Sequence, residues 1–157
     1  ALGASLAGPA AAQDPAASLH NNFLGPEFVM STITTGSDAG MVNMQPYGTV
    51  PSQLWVMNEG PSGWMVITSL EREGEACLDV VNGGAFDNMV WMRPCGNYSG
   101  QHWGAIEYND GTAQLYTEFR GSNMCLDVVN GGSYDLYLWL TPCGNSSGQF
   151  WTAELFE

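Results

Sequence analysis

The sequence contains no lysine, and Arg72, Arg93 and Arg120 are its only permanently cationic side chains. Against 16 acidic residues they leave a formal net charge of −13. Such a surface repels phosphate backbones and anionic lipid, so no nucleic acid is expected among its partners. The acidity reads as solubility or adaptation to a salty or acidic habitat, with an acidic recognition surface as the alternative. Long apolar runs are missing too. Although 45% of the residues are apolar, no stretch approaches the roughly 20 needed for a transmembrane span. No segment sustains a period of 3.6, so helix should be close to absent.

Chemistry-bearing constellations are equally scarce. Two histidines, His20 and His102, and no C-x-x-C pair make a poor zinc site, and no metal or cofactor is expected. No serine or cysteine nucleophile has a positioned base, and no Gly-rich phosphate loop joins a strand to a helix, so no catalytic residue is assigned. Asp79 and Asp87 form a nominal acid/base pair. Their duplication as Asp127 and Asp135 points instead to architecture or binding.

What is present is repetition. Gln53-Leu54-Trp55, Gln101-His102-Trp103 and Gln149-Phe150-Trp151 recur at one constant interval. A period of about 48 residues means one object built from similar units. From Cys77 to Trp103 and from Cys125 to Trp151, 18 of 27 positions are identical without a gap. The first copy, from Val29 to Trp55, keeps Gly36, Pro46, Gly48 and the Gln-x-Trp. Both its cysteine positions are lost, to Val29 and Tyr47, and the aspartate of Leu-Asp-Val becomes Ser31. Short strand-like segments are expected at 64–70, 113–119, each Cys-Leu-Asp-Val-Val, each Met-Val-Trp-Met-like stretch, and from each Gln-x-Trp onward. Gly83-Gly84, Gly131-Gly132, Pro94 and Pro142 punctuate them. Leu78, Val90, Met92 and Trp103, with their counterparts, are expected to fill one shared interior.

Residues 1–12 (ALGASLAGPAAA) have another texture, small, apolar and uncharged. With Ala10-Ala11-Ala12 before Gln13 they read as the distal part of a signal peptide, with a low-complexity linker as the alternative; residues 1–16 are set apart on this ground. The four cysteines fall in two pairs, Cys77 with Cys95 and Cys125 with Cys143, equally spaced and at equivalent positions. Equal spacing favours two bridges within repeats, each closing a loop worth on the order of 3 kcal/mol. Four free thiols in a reducing compartment are the alternative; beside the leader-like terminus, a secreted or periplasmic location is preferred.

Cys-Leu-Asp-Val, a second cysteine at a fixed distance, then Gln-x-Trp, in three registered copies, resembles the ricin-B-type β-trefoil lectin domain. The resemblance covers 17–157 as a single domain, with repeats about 17–64, 65–112 and 113–157. It implies an all-β, twelve-stranded trefoil of three pseudo-equivalent units. It also implies disulfides Cys77–Cys95 and Cys125–Cys143, and one potential sugar pocket per repeat. In this family the aspartate of the Leu-Asp-Val strand contacts sugar hydroxyls, a role that carries over to Asp79 and Asp127 and leaves the Ser31 pocket dead.

Two departures stand out. Arg93 and Thr141 occupy the family's aromatic plate position, and Gly100 and Gly148 replace its asparagine before the glutamine. Phe86 and Tyr134, in the Gly-rich loops, are substitute plates, and Trp91 and Trp139 have a face to expose. The candidate carbohydrate-binding residues are thus Asp79, Asn82, Phe86, Asn88 and Trp91, then Asp127, Asn130, Tyr134 and Trp139.

Other roles compete at several positions. Asp79 and Asp127 could instead brace the following Asn-Gly-Gly turn. Gln53, Gln101 and Gln149 read as core residues that satisfy buried backbone groups, with Trp55, Trp103 and Trp151 packing beside them. Asn97 and Asn145 head formal glycosylation sequons, relevant only in a eukaryotic secretory host. The expected function is a secreted, non-enzymatic carbohydrate-binding module whose partner is a glycan, using repeats two and three. The alternative is an interaction or assembly subunit with degraded pockets, similar to trefoil subunits of toxin complexes. Such a subunit would join a larger protein complex through its N-terminal segment or trefoil surface.

Overall fold

A computed structural model describes residues 15–156. The leader-like stretch 1–12 lies outside the described residues, as do Gln13, Asp14 and Glu157. Twelve five-residue strands succeed one another: β1 (Ala17–Asn21), β2 (Phe28–Thr32), β3 (Val42–Pro46), β4 (Trp55–Glu59), β5 (Met65–Ser69), β6 (Ala76–Val80), β7 (Val90–Pro94), β8 (Trp103–Glu107), β9 (Ala113–Thr117), β10 (Met124–Val128), β11 (Leu138–Pro142) and β12 (Trp151–Leu155). From β5 onward each strand starts one Gln-x-Trp interval after its counterpart four strands earlier, so the sequence period is the structural period. Among the described residues, helix is confined to five three-residue 3-10 turns, and no helix is long and apolar enough to cross a membrane.

Six strands close a barrel in the order β1-β12-β9-β8-β5-β4, and three two-stranded hairpins, β2-β3, β6-β7 and β10-β11, stand apart from it. This is a β-trefoil. Within a hairpin the residues alternate: Val90 and Met92 are buried while Trp91 and Arg93 point outward, the period of two expected of a strand with one wet face. The hairpins are joined in a ring by three equivalent amide bonds. Met92 N–H donates to Gly40 O at 2.7 Å, Leu140 N–H to Asn88 O at 2.7 Å, and Met44 N–H to Leu136 O at 2.8 Å.

The interior repeats as well. Trp55, Trp103 and Trp151 are 0%, 0% and 3% exposed, and Met30, Leu78 and Leu126 beside them are fully buried. Each indole N–H donates to the carbonyl 25 residues earlier: Trp55 to Met30 O at 2.9 Å, Trp103 to Leu78 O at 2.9 Å and Trp151 to Leu126 O at 3.0 Å. A second apolar cluster, Met41, Val81 and Met89 with Phe86, Trp91, Tyr134 and Tyr137 against it, fills the space between the hairpins.

The strand expected from each Gln-x-Trp begins at the tryptophan and not at the glutamine. Gln53, Gln101 and Gln149 end 3-10 turns, at Pro51–Gln53, Ser99–Gln101 and Ser147–Gln149. Their side chains explain the difference. Each Nε2 donates to the carbonyl of the proline ending the neighbouring strand (Pro46, Pro94, Pro142) at 3.0–3.1 Å. Each Oε1 accepts from the amide of Gly48, Gly96 or Gly144 at 2.7–3.1 Å. The glutamine replaces a stretch of ladder with its own amide.

Cys77–Cys95 and Cys125–Cys143 are bonded, each with Cα atoms 5.0 Å apart, and no cysteine is free among the described residues. In the first unit Val29 sits buried where the cystine would be, and half-exposed Tyr47 stands at the second cysteine position.

Trp103→Phe keeps most of the ring but leaves Leu78 O without its buried donor. It should destabilise the domain by about 1–3 kcal/mol for the orphaned carbonyl, with a further loss for the cavity. Guanidinium denaturation followed by circular dichroism measures it.

Candidate functional site

Register places Asp79 on β6 directly opposite Trp91 on β7. Their neighbours Leu78 and Met92 face the core, so this pair shares the outward face of the hairpin. Asp79 Oδ1 accepts from Val80 N–H at 2.8 Å, and Oδ2 accepts from Gln101 Nε2 at 3.1 Å. A carboxylate offers about four acceptor positions, so Asp79 keeps capacity for further donors. It lines an open cleft of about 680 Å3 together with Asn82, Trp91, Arg93, Tyr98, Gly100 and Phe119.

Gly100 explains the posture of the carboxylate. A Cβ on Gly100 would lie 2.5 Å from Asp79 Oδ1 and 3.2 Å from Val80 Cγ1. A side chain at this position would therefore push aside the carboxylate oxygen that accepts from Val80 N–H. The third unit repeats the arrangement, with a Cβ on Gly148 falling 2.6 Å from Asp127 Oδ1.

The third site is more committed. Asp127, opposite Trp139, accepts from Val128 N–H at 2.7 Å, Thr141 Oγ1 at 2.9 Å and Gln149 Nε2 at 3.1 Å. In the first unit Ser31 is fully buried opposite Asn43, with no carboxylate.

Asp79 and Asp127 make no hydrogen bond to the Asn-Gly-Gly turns. Asp87 and Asp135 do that instead, each accepting from a glycine amide at 2.6 Å, Gly83 in one case and Gly131 in the other. Those glycines have φ of 93° and 99°, which a side chain would strain.

The other candidates have different surroundings. Phe86 and Tyr134 meet edge-to-face at 5.3 Å between the hairpins and do not form separate plates. Their positions, with Asp38, are equivalent by the repeat period and converge near the pseudo-threefold axis, which the sequence pattern did not reveal. Asn88 occupies a left-handed turn, φ 72°, where its carbonyl holds the hairpin ring. Asn82 Oδ1 accepts from Arg120 Nη2 at 3.3 Å, and the same guanidinium reaches Asp87 at 2.8 Å. Asn130 is exposed and Trp139 is 36% exposed, so the third unit presents an open face.

Two cleft aromatics escaped the sequence reading. Tyr98, in the sequon loop, is 60% exposed, its ring lying over Gly96 with no room there for a side chain. Phe119, 43% exposed, comes from the loop after β9 in the next unit. Tyr98 carried a signal, an aromatic in a loop where the third repeat has Ser146. Phe119 carried none, because the cleft borrows it across a repeat boundary.

Two titrating groups are displaced from their usual values, both outside the cleft. The Tyr137 hydroxyl donates to Asp38 Oδ2 at 2.6 Å, and this bond, with partial burial and the nearby carboxylate charge, pushes its pKa up to about 12. Asp110 is held below the usual carboxylate value by the Thr112 hydroxyl and amide.

This geometry has relatives. The model of the ricin-type β-trefoil lectin domain matches residues 63–154. The chain belongs to that family, and so to a class of carbohydrate-binding modules. The matched span holds the second and third units, which keep their cystines and aspartates. No curated protein sequence matches the chain.

Solved structures share the fold at low identity. A mosquitocidal holotoxin aligns at TM-score 0.78 and 16% identity over 94% of this chain, which spans only 18% of that toxin. The designed threefold-symmetric ThreeFoil aligns at 0.75 and 18% identity, covering 91% of this chain and all of that one. A ricin B-like lectin of Macrolepiota procera, solved with lactose, aligns at 0.67 and 17% identity, covering 94% and 100%.

Alkaline titration followed at the phenolate absorbance should show one tyrosine ionising near pH 12. Because the folded pKa lies above the ordinary phenol value of about 10, the stabilisation from this bond is complete below about pH 10 and is lost as pH rises through about 12. Asp38→Asn should move that transition to lower pH.

Proposed function

We propose that this domain is a non-enzymatic carbohydrate-binding module of an exported protein, with its principal site in the cleft of the second repeat. The observation that carries the reading is the convergence of Asp79, Trp91 and Tyr98 on one open cleft. A carboxylate with unused acceptor positions can take vicinal hydroxyls, and aromatic rings supply area for an apolar sugar face. Asn82 borders the same cleft and adds an amide. The third repeat offers a second site at Asp127 and Trp139, flanked by Asn130, where Thr141 already uses part of the carboxylate. The first repeat has no acceptor carboxylate and is silent.

Weak single sites on one chain gain from simultaneous attachment to a branched or polymeric glycan. The two disulfides and lectin-family membership are consistent with an extracellular protein, and the leader-like residues 1–12 support export by a signal peptide.

Asp79→Ala should remove binding at the second repeat, since losing a charged acceptor costs about 1.5–3 kcal/mol. Asp127→Ala should remove the weaker site, and the double variant should bind nothing while remaining folded. Ser31→Ala should change nothing. Glycan-array screening followed by calorimetric titration checks all four. Full binding by the folded double variant would place sugar recognition on another surface, whereas no array signal from the unaltered domain would favour the interaction-subunit reading.

A further inference from the structure

The three arginines are not equivalent. Arg72 pairs with Glu75 at 3.8 Å and Arg120 with Asp87 at 2.8 Å. Among the described residues Arg93 has no carboxylate within ion-pair distance. It is held all the same, because its guanidinium stacks over the Trp91 ring at 4.4 Å, on the wall of the second-repeat cleft. At the equivalent positions Gln45 donates to Asn43 Oδ1 at 2.9 Å and Thr141 donates to Asp127 Oδ2 at 2.9 Å. Only the second unit puts an oriented cation there.

In a chain of net charge −13 with three cationic residues, an unneutralised guanidinium in a cleft is an uncommon resource. Planar and fork-shaped, it matches a carboxylate in two parallel hydrogen bonds. Asp79, diagonally across the hairpin, has acceptor positions suited to hydroxyls and repels a second carboxylate from its own end of the cleft. The two ends therefore ask for different groups on one ligand.

Resting on the carbohydrate-binding reading above, we infer that the cleft selects sugars bearing a carboxylate, with Arg93 taking the carboxylate and Asp79 the hydroxyls. A single uronic acid unit meets both demands. A densely charged polyanion does not, because the chain's net charge of −13 repels it.

The test uses pairs of methyl glycosides in the gluco and galacto series that differ only at C6, a hydroxymethyl group in one and a carboxylate in the other. Saturation-transfer NMR and calorimetry on the intact domain should show the uronate binding about tenfold tighter than its neutral partner, the gain expected of a charge-assisted bidentate contact. The ratio should shrink as salt is raised from about 0.05 to about 0.5 M, because an exposed pair is screened. In Arg93→Gln the ratio should fall to about one.

Equal binding of both members of each pair, or a preference that survives in Arg93→Gln, overturns the role of Arg93 while leaving the carbohydrate-binding reading standing. Binding of neither member in either series, on a domain that also gives no array signal, overturns that reading and this inference with it.

Discussion

Everything in this domain hangs on one contact made three times, an indole N–H from the first residue of a barrel strand reaching the carbonyl of the hairpin strand 25 residues earlier. Tryptophan is the side chain that can do this. It fills the volume where barrel and hairpin meet, and its polar handle satisfies a carbonyl that has no other access to solvent. The glutamine at the head of each Gln-x-Trp performs the complementary task at the surface end, pinning the turn that delivers the tryptophan. Hairpin position, and hence the position of every cleft, follows from these two side chains.

Divergence among the repeats is consequently confined to what lies outside that frame. The first unit lacks the cystine and the aspartate, yet Trp55, Gln53 and the buried Val29 preserve the scaffold. In the other two units the exchange of asparagine for glycine is coupled to the aspartate. The small residue makes room for the carboxylate oxygen that caps the next backbone amide, while the other oxygen takes the glutamine amide, so binding capacity and scaffold draw on the same carboxylate. Thr141 takes this further in the third unit, where a hydroxyl occupies part of what a ligand would use.

The fold was legible because periodicity needs no knowledge of contacts: identical spacing implies identical environment, and three copies close on themselves. The cystines, too, agree with their equal spacing. The site was legible only in part. Asp79, Asp127, Trp91 and Trp139 lie on strands whose register fixes which face they share. Phe86 and Tyr134 looked like separate plates because each belongs to its own repeat in sequence, whereas the axis brings them into contact. Phe119 was invisible for the converse reason, since it serves a neighbouring repeat. Residues whose partners lie within one hairpin can be read from a pattern, and residues that work between repeats cannot.

The barrel seam lies between β1 and β12, where Ser18 faces Glu154 and the first strand described pairs with the last. A sheet closed in this way has no free edge, which removes the usual route to strand-by-strand aggregation. The same closure means that the earliest strand waits, unpaired along most of its length, until the final one has been made. Such long-range pairing places the domain among slow folders, and it denies any shorter fragment a finished wall. An organism making this protein must keep β1 from other partners throughout its synthesis, a demand set by topology and not by any single residue.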